Sequence, residues 1–391
     1  MILLSLFGPG NDNSMRVSVT WLRLLGVWLA IFAVFGLGVE GVSRLIFPYV
    51  APSGWDYRSE RPVAYQSSPF FSQAFIDEAF SHQNWINLPN TRIIYPGDYH
   101  GHWFNVQDGI RRTAEPPVTD RRILLVGSST IYNAEVPDEF TIASYLQRLI
   151  RARSDVEFSV VNLGASGVKV SQQLERLQML EMRPGDIVLF YDGTADAMQG
   201  VFYANFDGWI VGENRKRLDN IIARNRVGIE ALARRSRFFN WLYARTTNYL
   251  PEHLKHPEQV RALSLDSRDK LLRGLLETDR YVSGKSGTFI HVLQPDLFSR
   301  PLREFERPLV ENHFLTMNGI ELALRVAHEE FEPLTRLLAG QGVKAYDASM
   351  LFNAVDAPVF LDFAHTNEVG NKVIADFLFR ILVAERILTE R

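Results

Sequence analysis

Arg122-Ile-Leu-Leu-Val-Gly-Ser-Ser-Thr130 decides how this chain reads. Ile123–Val126 is a short apolar run without polar alternation, as in a strand buried on both faces. It ends on the small residues Gly127 and Ser128, so Ser129 falls where a helix would begin. Working outward, four more runs of the same kind occur at Phe158–Leu163, Ile187–Tyr191, Phe289–Leu293 and Val343–Tyr346. Helical stretches lie between them at Phe140–Ala152, Val170–Met182 and Leu322–Phe331, the last stopped by Pro333. Strand-type runs alternating with helices predict an α/β domain whose parallel sheet is covered on both sides. Val369, Val373, Ile374, Phe377, Leu378, Ile381 and Leu382 have the spacing of a closing amphipathic helix.

The 391 residues are 46% apolar, enough for one large domain or one domain with an insertion. A net charge of −3 gives no electrostatic case for nucleic acid. The chain has no cysteine, which excludes disulfides, thiolate metal sites and a cysteine nucleophile.

The N-terminus differs from the rest. Leu24 to Val39 carries no charge, and extension back to Thr20 past Arg23 reaches the length of a spanning helix. Gly38-Val39-Glu40-Gly41 does not suit a signal-peptide cleavage site, so a retained anchor is expected rather than a cleaved leader or a buried core helix. Arg16 and Arg23 precede the span and Glu40 follows it, which predicts a cytoplasmic N-terminus and an extracytoplasmic domain. The expected organisation is a tail over 1–19, a single-pass signal anchor over 20–47, a membrane-proximal irregular lead-in over 48–120, and the α/β domain over 121–391. A helical insertion is expected over 208–285, with the basic run Arg215–Arg237 as a solvated helix face.

Ligands of open α/β sheets bind beyond the carboxyl ends of the strands. Ser129 follows the first strand, Asn162-Leu-Gly164 ends the second, and Asp192-Gly-Thr-Ala-Asp196 ends the third. Asp362 and His365 follow the apolar Val359-Phe-Leu361. On one rim these supply a nucleophile (Ser129), a base (His365) and an acid that orients the base (Asp362). The backbone N–H groups of Ser129 and Gly164 are candidates for the oxyanion hole. Gln294, after the fourth strand, is a candidate substrate contact.

These segments resemble the motif blocks of the SGNH (GDSL-like) hydrolase family, in the family's order. Gly127-Ser128-Ser129-Thr130 is similar to its first block, Asn162-Leu-Gly164-Ala-Ser-Gly167 to its second, and Asp362-x-x-His365 with Gly370-Asn371 to its last. The resemblance covers about residues 120–391. It implies a flavodoxin-like three-layer α/β/α sandwich with a parallel sheet of about five strands. It also implies a serine esterase working through an acyl-enzyme on acylated glycans, lipids or small esters, O-acetyl groups among them. An O-acyltransferase of envelope or exopolysaccharide assembly is the alternative, as is a glycan-binding protein without turnover.

The third block departs from the pattern. Where the family has Gly-x-Asn-Asp, this chain has Gly193-Thr194-Ala195-Asp196, so the asparagine oxyanion donor is absent. Thr194, Asn133 or Gln199 is the expected substitute, while Asp192 and Asp196 are expected to be structural. No cofactor is expected, because the Gly-Lys-Ser/Thr of a phosphate loop is missing. No metal is expected either, since His100 and His102 have no third ligand nearby. Tyr99, Trp103 and Phe104 read equally as sugar-stacking or packing residues, and His291 reads as a core histidine.

Overall fold

The structure, a computed structural model, describes residues 12–47, 63–65, 68–81, 85–87, 94–115, 117, 119–202, 232, 235–247, 254, 256–307, 309 and 320–391. Residues 1–11 of the tail and most of the basic run Arg215–Arg237 lie outside the described residues.

The first helix, α1 (Asp12–Ile46), begins earlier than the span read from the sequence. The lead-in holds α2 (Gln73–Ser81), an antiparallel pair β1 (Trp85–Asn87) and β2 (Ile94–Pro96), then β3 (Tyr99–His100), β4 (Asn105–Gln107) and β5 (Ile110–Arg111). Next come β6 (Arg122–Gly127), α3 (Ser129–Tyr132), α4 (Ile142–Arg153), β7 (Ser159–Asn162), α5 (Val170–Met179), β8 (Ile187–Asp192) and α6 (Thr194–Phe202). They are followed by α7 (Arg237–Thr247), α8 (Pro257–Gly284), β9 (Thr288–Leu293), α9 (Ile320–Phe331), α10 (Leu334–Gly340), β10 (Lys344–Asp347) and α11 (Glu368–Ala384).

Two compact units result. One joins Met1–Pro52 with Asn214–Asn248. In it, Gly26–Ile46 is long and apolar enough to cross a membrane, and Trp28, Phe32, Phe35 and Leu37 are exposed. The Glu40 carboxylate accepts hydrogen bonds from Ser236 Oγ (2.6 Å), Arg237 N (2.8 Å) and Phe238 N (3.3 Å), which caps the start of α7. Phe47 stacks on Trp241 at 4.7 Å.

The other unit, Ser53–Glu213 with Tyr249–Arg391, contains the sheet. The parallel strands lie in the order β7-β6-β8-β9-β10, the flavodoxin-like arrangement with its switch point beside β6. The period-2 alternation of β6 divides the core. Ile123 and Leu125 pack with α4 and α11 on one face, and Leu124 and Val126 with α5, α8, α9 and α10 on the other. That makes the three-layer sandwich.

The five parallel strands are the expected ones, and among the described residues β5, β4 and β3 of the lead-in extend the sheet antiparallel beyond β7 to eight strands. The added strands are two or three residues long, too short for a period to show. Within the expected helical insertion over 208–285, Leu271, Leu275 and Val282 of α8 are buried against the sheet on the way from β8 to β9.

Leu189 sits at full burial on β8, between β6 and β9. Leu189→Ala is expected to cost about 2–5 kcal/mol through lost burial and the cavity left behind, measured by urea unfolding of the purified chain.

Candidate active site

The turn that presents Ser129 is set by steric limits. A Cβ on Gly127 would stand 2.5 Å from Ile131 Cγ1 and 2.5 Å from the Tyr191 carbonyl oxygen, so only glycine lets β6 turn directly into α3. The short helix ends at Asn133, whose left-handed backbone (φ 54°) suits asparagine. The Asn133 side chain is fully occupied, with Nδ2 donating to Thr130 O (2.6 Å) and Oδ1 accepting from Ile142 N (3.0 Å). It therefore holds α3 against α4 and is not a substitute donor for the missing asparagine.

His365 is delivered by a tight loop. Leu361 N donates to His365 O (2.8 Å) and Asn367 N to Val359 O (2.9 Å). Asn367 then caps α11 by accepting from Val369 N and Gly370 N. Asp362 Oδ1 accepts from the N–H groups of Ala364 and His365, both at 2.8 Å, which leaves Oδ2 for the ring. His365 Nδ1 lies 2.7 Å from Asp362 Oδ2, and Nε2 lies 2.7 Å from Ser129 Oγ. With Nδ1 as the donor to Asp362, Nε2 has its lone pair toward the serine hydroxyl.

A second carboxylate, absent from the sequence reading, stands close by. Glu135 Oε1 is 3.8 Å from His365 Nε2, and the Glu135 side chain is 5% exposed. Burial alone would push the His365 imidazole down, but the charges of Asp362 and Glu135 outweigh it and lift the group to about 9. Burial raises the Glu135 carboxyl, whereas the neighbouring His365 keeps Asp362 below its ordinary range against its own burial.

The other sequence-predicted residues reach the same rim in different capacities. Asn162 is a clip: Nδ2 donates to Ile131 O (2.9 Å) and Oδ1 accepts from Gly164 N (3.0 Å). The Gly164 N–H is thus already engaged by the Asn162 side chain. Gly164 is required to be glycine for another reason, since a Cβ there would lie 2.1 Å from Tyr132 N. Arg176 donates to the carbonyls of Leu163 (2.6 Å) and Gly164 (3.1 Å), and burial lowers its guanidinium to about 10.

In the first turn of α6, Asp196 accepts from Val170 N and is raised by burial and by the nearby Asp192. Asp192 in turn bonds His291 Nε2 at 2.9 Å, so both acids are structural and His291 belongs to the core. Gln199 Nε2 donates to Gly167 O. Ala195 lies in the first turn of α6 and brings no side-chain donor; Thr194 is buried beside it, at the edge of a small pocket shared with Leu293, Gln294, Asp296 and Phe331. Gln294 Oε1 accepts from Thr130 Oγ1 (3.2 Å), which ties it to the residue after Ser129.

Lead-in residues complete the surroundings. Tyr65 Oη donates to Glu135 O, Ser68 Oγ to the Glu368 carboxylate (2.6 Å), and Asn367 Nδ2 to Ala64 O (2.6 Å). Phe104 is fully buried and Tyr99 and Trp103 pack around it, so these aromatics are packing residues. Among the described residues no cluster of His, Asp and Glu could hold a metal ion.

Arg111, the last residue of β5, is the largest of the fully buried side chains. Its guanidinium donates to Asp138 Oδ1 (3.1 Å), to the carbonyls of Tyr132 (2.6 Å) and Val136 (2.6 Å), and to that of Asn133. It also lies over the Phe104 ring at 4.7 Å. Sequence reasoning missed it and Glu135 alike, since neither belongs to a periodic pattern or a motif.

No protein-family model matches the chain, and no curated protein matches it. Solved structures do. A lipolytic protein of the G-D-S-L family from Veillonella parvula is 16% identical at a TM-score of 0.39, over 67% of this chain and 98% of its own. A lipase/acylhydrolase from Enterococcus faecalis is 14% identical at a TM-score of 0.32, over 69% and 98%. An acetylxylan esterase from Geobacillus stearothermophilus is 16% identical at a TM-score of 0.34, over 68% and 94%. At such scores the site's own geometry has to carry the functional reading.

Arg111→Met removes the guanidinium donor from the buried carbonyls of Tyr132, Asn133 and Val136 and the cation that pairs with Asp138. It is expected to destabilise the chain by about 3–5 kcal/mol, seen as a lowered urea midpoint.

Proposed function

We propose that the chain is a serine esterase of the SGNH (GDSL-like) kind, with Ser129 as nucleophile, His365 as general base and Asp362 as the acid that orients it. The observation that carries this reading is the unbroken chain from Ser129 Oγ through the imidazole to Asp362, with 2.7 Å at both ends. Ser129 Oγ attacks an ester carbonyl as its proton passes to Nε2, and the imidazolium then returns that proton to the leaving alkoxide. An acyl-enzyme remains on Ser129 and is released to water. The Ser129 N–H, at the open start of α3, is the proposed first oxyanion donor and Gly164 the second.

The proposed substrates are O-acyl esters, O-acetyl included, of extracytoplasmic glycans or lipids. The location is supported by α1 and by Arg16 and Arg23 ahead of its apolar stretch, which together favour a single-pass anchor with the sheet domain on the far side. Transfer to a sugar hydroxyl uses the same acyl-enzyme and differs only in the second nucleophile.

Ala195 favours a second reading, a glycan-binding protein whose turnover has been lost. An oxyanion donor is typically worth about 10²–10³ in turnover. Ala195→Asn is therefore expected to raise the esterase rate by about that factor if the site is a weakened enzyme. Absence of turnover in both forms, with glycan binding retained, would support the binding role.

The test of the first reading is labelling of the full chain by a fluorophosphonate probe together with hydrolysis of a p-nitrophenyl acyl ester. Ser129→Ala is expected to abolish both, and Asp362→Asn to slow hydrolysis by about 10⁴-fold. Unchanged hydrolysis in Ser129→Ala would remove the assignment.

A further inference from the structure

Nothing in the triad requires a second acid, yet one is buried against it. Glu135 follows α3 on the loop that Arg111 clamps, and its backbone carbonyl accepts the Tyr65 hydroxyl. Both contacts fix the loop that carries the carboxylate. Oε1 faces His365 Nε2 at 3.8 Å, and Oε2 is buried with no hydrogen-bond partner among the described residues. An unpaired buried carboxylate oxygen is costly, so its placement beside the imidazole asks for a function.

We propose that Glu135 is a second carboxylate partner of the catalytic imidazole, a positioning residue that faces Nε2 while Asp362 holds Nδ1. This rests on the serine-esterase reading above. When Ser129 Oγ bonds to the ester carbon, its proton moves to Nε2 and the carbonyl electron pair moves onto oxygen. The imidazolium so formed lies between two carboxylates, and Glu135 stabilises its charge without itself gaining or losing a proton. Nε2–H then passes its proton to the leaving alkoxide as the C–O bond breaks, and Glu135 is again as it was.

The same charge acts on the resting state. It favours protonated His365, which cannot serve as a base, so acylation is expected to rise with pH toward about 9. The other groups facing the pair are Asp362 on the imidazole's own loop, Arg111 near Glu135, and Glu368 near Tyr65. Arg111 and Glu368 are occupied by the bonds already described, which leaves Glu135 as the charge directed at Nε2.

Glu135→Gln keeps the shape and removes the charge. In the full chain, fluorophosphonate labelling is to be followed from about pH 5 to 10. A charge within about 4–6 Å moves a titration by about one to three units, so the midpoint of the rising limb is expected to fall by that amount. Labelling near neutrality is expected to increase and the alkaline plateau to decrease, so that the two profiles cross. A uniform loss at every pH with the midpoint unmoved is what a structural role would give, and it would overturn the proposal.

Two further measurements keep the outcome decisive. Glu135→Asp retains the charge and is expected to keep the midpoint near that of the native chain. A fall as large as that in Glu135→Gln would exclude the charge as the cause. The His365 titration, followed by ¹⁵N-histidine NMR in a Ser129→Ala background, reads the pair without any catalysis. If the native chain is not labelled, the esterase reading fails by itself. The NMR midpoint still decides whether Glu135 governs the imidazole, and no change in Glu135→Gln would reject that too.

Discussion

The Arg111 guanidinium is the interaction on which the site depends. A short helix leaves its last carbonyls without partners, and α3 is only one turn long. Arg111 supplies donors to Tyr132, Asn133 and Val136 at once, so the turn after Ser129 is held by a rigid planar fork instead of by further helix. Its own charge is compensated by Asp138 and by the Phe104 ring, both fixed through the lead-in. The arrangement also explains why β5 joins the sheet. The Arg111–Asn162 pairing sets the guanidinium beside α3 and sets the Asn162 amide under Ile131. The Ser129 turn, the Asn162–Gly164 segment and the lead-in are therefore one hydrogen-bonded body.

Burial shapes the electrostatics in that body. A carboxylate taken out of water is raised toward neutrality, and an imidazole is lowered, unless each meets the other. Asp362 and His365 resolve this as a pair: the charge and ring bond of His365 lower Asp362 against its burial, and two backbone N–H bonds add to that. Burial raises Glu135, and among its charged neighbours His365 opposes that shift most. The outcome is an imidazole lifted by its two carboxylate neighbours against its own burial.

The elements that could be read from the sequence were those with a period. The five apolar runs appear as the five parallel strands, and the closing amphipathic segment as α11 capped by Asn367. Pro333 separates α9 from α10, as a ring without an N–H must. Ser129, Asp362 and His365 were recognisable because strand ends converge on one rim and because a triad needs those three side-chain types. Strands of two or three residues carry no such signature, so the extension of the sheet was hidden. Arg111, Arg176 and Glu135 were hidden for a different reason. A buried charge is placed by tertiary partners distant in sequence: 67 positions separate Arg176 from the Gly109 carbonyl it bonds. No local pattern reports that.

The oxyanion side is where the proposed chemistry is most sharply constrained. With Ala195 offering no donor, a developing oxyanion depends on backbone N–H groups, and Gly164 N–H is held by Asn162 Oδ1 in the resting site. That bond is between neutral groups. A hydrogen bond to an ionised acceptor is roughly twice as strong, so an oxyanion competes for the same N–H far better than a ground-state carbonyl does. Asn162 Nδ2 is held by Ile131 O, and the Gly164 carbonyl by Arg176. The exchange therefore yields little to the bound ester and much more to the tetrahedral intermediate. Interactions that strengthen only in the transition state are the ones that raise turnover. In the proposed mechanism, Asn162 is a placeholder whose hold on Gly164 keeps the donor oriented until charge appears.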